Sequence, residues 1–195
     1  MNLRCPGRGA ARQRGALLIE VLVAILLCAF ALLGFAAMQA RASTAEFEAL
    51  QRSQALLLVE DMASRIAANR ANADAYVLAA PTGAGAVQPC IGLPIVERDI
   101  CEWGNLLRGI TETRAGVSVG SMLSARGCVT RAAGSTNGYV ISAAFSGVAS
   151  TGAPAGPCGQ GDPAFPDDSL RRVVSSTVCV ALLRDPAVPA AAPRC

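Results

Sequence analysis

The sequence of 195 residues contains no histidine and no lysine. Without histidine, Ser-His-Asp catalysis, Cys-His catalysis and imidazole ligation of a metal are excluded together. Without lysine, and with Arg171-Arg172 as the sole adjacent arginine pair, the chain has no clustered cations of the kind that follow a phosphate backbone. Aromatic residues make up only 4% of the chain, which argues against a base-stacking surface and so against a nucleic-acid partner. A GxxxxGK[ST] phosphate loop is absent, so no nucleotide-driven motor resides here. There is also no CxxC pair, which makes a zinc site improbable. No catalytic residue, cofactor or metal ligand is assigned, and the chain reads as non-enzymatic.

Positive charge is scarcer than the formal +3 suggests. Arg4, Arg8, Arg12 and Arg14 lie in a leader without a single acid, and the other 13 arginines face 14 acids, one of which is Glu20. Residues 41–195 are therefore balanced, and the basic excess belongs to the N-terminus alone.

What the chain does have is one long apolar run from Gly15 to Ala40, GALLIEVLVAILLCAFALLGFAAMQA. A bilayer core of about 30 Å needs roughly 20 apolar residues in a helix, so this run spans it. The arginines before it hold the N-terminus in the cytoplasm by the positive-inside rule. Its one charge is Glu20. A carboxylate there costs on the order of 2.5–3.5 kcal/mol on insertion scales, which calls for a partner. The remaining length suits one globular domain.

Basic leader, Gly15, the tetrad Ala16-Leu17-Leu18-Ile19, Glu20 and then Val21-Leu22-Val23-Ala24 together resemble the class III signal of type IV prepilins and pseudopilins. The resemblance implies cleavage by prepilin peptidase between Gly15 and Ala16 and N-methylation of Ala16. It also implies that Glu20, fifth residue from the cut, pairs with the α-amino group of a neighbouring subunit during assembly. Ala16 stands where the family more usually has phenylalanine. The organisation expected is a cleaved leader over 1–15, a transmembrane and filament-core helix over 16–40, and a periplasmic head over 41–195 that includes the helix's amphipathic second half.

Beyond Ala40 the helix is expected to continue, because no proline or glycine occurs from Arg41 to Arg70. Ala55, Leu58, Val59, Met62 and Ile66 recur at three- and four-residue spacing, one face of an amphipathic helix. A helix from about Ala16 to about Tyr76 would be on the order of 90 Å long. After the breaker PTGAGAVQP, a shorter helix is predicted from Val96 to Ile110, with Trp103 as a packing anchor rather than a ligand platform. Alternating or β-branched runs predict strands at Val117–Leu123, Cys128–Arg131, Tyr139–Phe145 and Arg172–Leu183, with a turn at Gly134–Gly138. The expected fold is α+β and type IV pilin-like, a long helix packed on a small antiparallel sheet and stabilised by disulfides. Gly147–Asp168, rich in glycine and proline, reads as a long loop pinned by Cys158 that is either functional or mobile.

Of the eight cysteines, Cys5 leaves with the leader and Cys28 sits in the apolar helix. Cys90, Cys101, Cys128, Cys158, Cys179 and Cys195 remain and read as up to three disulfides in an oxidising compartment. Cys90–Cys101 is the preferred local loop; the other pairings stay open among the 15 connectivities that six cysteines allow.

The segment from Gln51 to Tyr76, QRSQALLLVEDMASRIAANRANADAY, is similar to the start of the soluble region in PilV-type minor pilins, the type IV pilus modification proteins. There a QRSxA segment leads into DMxxRxxANR and a tyrosine. Asp99, Trp103 and Leu107 resemble that family's D-xxx-W-xxx-L helix, and Gly127-Cys128, Tyr139-Val140-Ile141 and Arg171–Ser175 follow in its order. Phe145 stands where tryptophan is common. The resemblance implies a part in priming or tipping the pilus. Its partners would be other minor pilins, the major pilin and an inner-membrane assembly platform. The location implied is a single pass through the inner membrane with a periplasmic head, followed by the pilus fibre. Two rival readings remain, a type II secretion pseudopilin and a secreted disulfide-rich enzyme or binding protein released at Ala40-Arg41-Ala42.

Overall fold

A computed structural model of the protein describes residues 16–110, 113–114, 117–118 and 122–180. Gly15, Cys195, the end of the expected strand beyond Val180 and residues 119–121 lie outside the described residues. The chain divides into two compact units, Met1–Ala45 and Glu46–Cys195.

In the first unit the described residues form the start of helix α1 (Ala16–Ala68). Alanine and leucine dominate and both favour helix, while Gly34 has open space around it and does not interrupt the helix. Side chains from Leu18 to Ala45 are all exposed within the chain, apolar ones included. By length and composition this helix is able to cross a membrane.

In the second unit the same helix becomes one-sided. Ala55, Val59, Met62 and Ile66 are buried, at spacings of three and four. The helix ends at Ala68 rather than near Tyr76, and a 3-10 segment follows over Arg70–Tyr76, with Asn72 out of helical geometry at φ −116°. Asparagine chemistry accounts for the early stop. The Asn72 Nδ2 donates to Asn69 Oδ1 at 2.9 Å, and Asn69 Nδ2 donates to the Tyr76 hydroxyl at 3.2 Å. Such local side-chain bonds compete with the helical ladder, and the tighter winding turns Ala73 and Tyr76 into the core.

Helix α2 spans Ile95–Leu107, shifted from the expected Val96–Ile110 by Pro94 at its start and by Gly109, at φ +73°, beyond its end. It buries Trp103 and Leu107. The Trp103 indole has no solvent exposure, and its Nε1 donates to the Leu58 carbonyl of α1 at 2.8 Å. A Cβ on Gly127 would lie 2.4 Å from the ring, so the indole seats where only glycine leaves room.

Of the expected strand Val117–Leu123, Val117–Ser118 forms β2 and pairs with β1 (Thr113–Arg114), while Met122–Ser124 turns instead; residues 119–121 lie outside the described residues. The main sheet has the antiparallel order β3 (Arg126–Arg131), β4 (Gly138–Ser146) and β5 (Arg171–Cys179). Central β4 is buried on both faces. Val129, Ile141, Phe145 and Val174 pack with α1 and α2 in the main core, while Cys128, Ala144 and Val173 face Cys158 and Phe165 of the Gly147–Asp168 loop. The helix thus covers one face of the sheet, as expected, and the loop covers part of the other.

Candidate functional site

The residues expected to act in processing and assembly fall in the first unit. Ala16 is the first described residue of helix α1, and Gly15 before it lies outside the described residues. Glu20 follows one turn later, exposed, with neither hydrogen bond nor ion pair among the described residues. Its surroundings on the helix are Leu18, Ile19, Val21 and Leu22, all exposed and apolar. Among the described residues this carboxylate stands alone on an apolar stretch of helix.

In the second unit, the polar residues of the DMxxRxxANR and D-xxx-W segments converge on one network. Asp61 and Arg65 are one turn apart on α1, and Asp99 and Glu102 share a face of α2. Arg65 Nε donates to Asp61 at 2.9 Å, while its Nη1 donates to Asp99 at 3.0 Å and to Glu102 at 2.8 Å. The Tyr76 hydroxyl donates to the other Asp99 oxygen at 2.5 Å and accepts from Asn69. One guanidinium and one phenol therefore tie α1, the 3-10 segment and α2 together. Burial works to lower the Arg65 pKa, but hydrogen bonds and charge from Glu102, Asp61 and Asp99 override it and raise it. Burial, then the bond to Asp99, pushes the Tyr76 phenol up. In sequence these residues fall in two family-like segments, which reveal neither that the segments meet nor that Arg65 would bridge three carboxylates.

A second set of contacts holds the Gly147–Asp168 loop. Glu48 Oε1 accepts the backbone N–H groups of Val148 at 2.9 Å and Ala149 at 3.1 Å, with Arg172 Nη2 at 3.4 Å. The Ala149 N–H is the main cause of a carboxyl pKa below the ordinary range. Arg171, whose side chain is fully buried, donates to the carbonyls of Gly156 at 2.6 Å and Cys158 at 2.9 Å and to Asp168 at 2.5 Å. Arg126 pairs with Asp162 at 2.7 Å, and this bond holds the Asp162 carboxyl low. The loop is thus anchored at several points. Sequence reasoning missed this function of Arg171-Arg172, although two arginines opening a strand beside a carbonyl-rich loop were the available signal.

Cys90 is bonded to Cys101, the local loop preferred from sequence, and Cys128 to Cys158, a pairing the sequence left open. Cys179 is disulfide-bonded as well, and Cys28 is free and exposed. Among the described residues no group of three or more His, Cys, Asp or Glu is arranged to hold a metal ion.

A family model described as Tt1218-like, type IV pilin Tt1218, matches residues 37–101. The matched stretch runs from the end of the apolar segment through Arg65, Tyr76 and Asp99 to Cys101, and over it the chain is similar to type IV pilins. No curated protein and no solved structure matches the chain. The long helix with its apolar stretch, the three-stranded antiparallel sheet and the disulfides are consistent with a type IV pilin fold.

Proposed function

We propose that the chain is a minor pilin of the PilV type, processed by prepilin peptidase and built into a type IV pilus, where it serves in the priming or tip complex. The observation that carries this reading is the coincidence of the pilin family match over residues 37–101 with the Arg65–Asp99–Tyr76 network, behind an apolar helix that bears one acid, Glu20. Cleavage after Gly15 would free the α-amino group of Ala16. Glu20 would then meet such a group on a neighbouring subunit and set the register of packing. Desolvation offsets much of a buried pair's attraction, so alignment is its main contribution. Residues 16–40 would lie in the inner membrane before assembly and residues 41–195 in the periplasm, where the cysteines oxidise. Partners would be other minor pilins, the major pilin and the inner-membrane platform.

N-terminal sequencing and intact mass of the protein from its native membrane test this reading. A start at Ala16 carrying one added methyl is expected. A start at Ser43, past Ala40-Arg41-Ala42, would mean a freely secreted protein and would overturn the pilin role.

A further inference from the structure

The two edges of the main sheet are treated differently. On β3, residues 78–82 take up the outward N–H and C=O of Gly127 and the outward C=O of Val129. Leu78 N–H donates to Val129 O at 2.9 Å, Thr82 N–H to Gly127 O at 2.8 Å, and Gly127 N–H to Thr82 O at 2.9 Å. On β5, the ladder bonds Gly147 N–H to Leu170 O and Val180 N–H to Asn137 O fix the alternation. In the register Ser146↔Arg171 to Gly138↔Cys179, residues 172, 174, 176 and 178 therefore bond to β4. Val173, Ser175 and Thr177 turn their N–H and C=O groups outward, and among the described residues these groups have no partner.

Exposed edges of this kind are usually blunted by charge, proline or a bulge, because they are templates for another strand. From Val173 to Val178 the sequence is VVSSTV, without charge or proline. At the Arg171 end the edge opens into a groove of about 410 Å³ whose lining includes Phe145, Val173, Val174, Thr151, Arg52 and Arg172. Glu48, also on its wall, is engaged by Val148, Ala149 and Arg172, and Arg171 by carbonyls and Asp168. Arg52 is exposed and has no hydrogen bond or ion pair among the described residues. The groove thus offers an apolar floor and one unengaged cation.

We propose that the outer edge of β5 accepts an extended segment of a partner protein as an added antiparallel strand, with an acidic side chain near the segment's C-terminal end lodged in the Arg52 groove. Backbone pairing with Val173, Ser175 and Thr177 supplies the attachment, and the carboxylate selects the segment and its direction. This inference stands apart from the pilin reading, because it rests on the sheet edge and not on processing or on Glu20.

The test uses the full-length chain in detergent and a fluorescein-labelled peptide, Thr-Val-Thr-Val-Thr-Asp, beside the same peptide ending in Lys. Fluorescence anisotropy is expected to show the Asp peptide binding roughly tenfold tighter than the Lys peptide. Backbone amide exchange at Val173, Ser175 and Thr177 is expected to slow in its presence. Thr177→Pro removes one outward donor and no ladder bond to β4, so the fold tolerates it and peptide binding is lost. Arg52→Glu, on an exposed helix position, reverses the Asp-over-Lys preference. Absence of binding, or binding unchanged by Thr177→Pro, overturns the strand site; equal affinity for the two peptides overturns the acidic selection.

Discussion

Arg65 shows how much structure one side chain can organise. It is 22% exposed, and its most buried partner, Asp99, is 14% exposed. Asp61 and Glu102 are more open and so contribute less. Arg65→Met keeps the aliphatic stem but leaves Asp99 with only the Tyr76 hydroxyl. Losing charge-assisted bonds at such a site costs about 2 kcal/mol, or about 4–8 °C in melting temperature for a domain this size. A thermal melt unchanged by Arg65→Met would remove the network's structural role. Titration behaves in opposite senses at the two ends of the pH scale. Glu48 and Asp162 have folded pKa values below their ordinary 4.5 and 3.8, so their stabilisation is complete above those values and is lost as pH falls through the folded ones. Tyr76 and Tyr139 are raised above 10.0, each by burial and then by a bond to an aspartate, so their contribution is complete below pH 10 and is lost as pH rises through the folded values. Denaturant melts across pH are expected to show a plateau at intermediate pH with losses below about 4 and above about 10. A steady decline from neutrality into mild acid would contradict the assignment.

At the level of elements, the two described disulfides close loops of different length, with sequence separations of 11 for Cys90–Cys101 and 30 for Cys128–Cys158. Chain-entropy scaling gives about 2.8 kcal/mol for the first and about 3.7 kcal/mol for the second. The longer link also joins the loop to the sheet, where Cys158 packs with Ala144 and Phe165. Replacing Cys128 and Cys158 together by serine is therefore expected to lower the denaturation midpoint more than the same change at Cys90 and Cys101, and the reverse order would refute the loop-length account. The sequence made some elements plain and hid others for physical reasons. α1 was legible because its periodicity is unbroken and proline-free, and β4 because its apolar run is bounded by turn residues. The end of α1 was not, since Asn69 and Asn72 act through side-chain geometry that composition does not reveal. The expected strand from Val117 is met at Val117–Ser118, but at its far end the chain turns through Ser124 at φ 56°, a local geometry that β-propensity does not reveal. Gln51 was not legible: it is wholly buried with no hydrogen-bond partner for its amide among the described residues, and periodicity alone places it as one more polar helix position.

For the molecule as a whole, the proposed assembly role makes Glu20 a residue whose removal should help one step and harm another. In the bilayer its carboxylate would be a cost, so Glu20→Ala should make the apolar helix easier to insert, and the proposed peptidase site at Gly15-Ala16 is untouched. Membrane fractionation is therefore expected to show Glu20→Ala inserted and cut to normal size. In a filament the same change removes the only charge on the 16–40 helix that can meet a neighbour's Ala16 α-amino group, so sheared pili are expected to lack the variant while the membrane retains it. Arg65→Met supplies the contrast, since it weakens the folded head without touching this pair and should lower the amount of protein in both fractions together. If Glu20→Ala entered sheared pili at the wild-type level, Glu20 would have no part in register, and the carboxylate would require another cationic partner within the membrane.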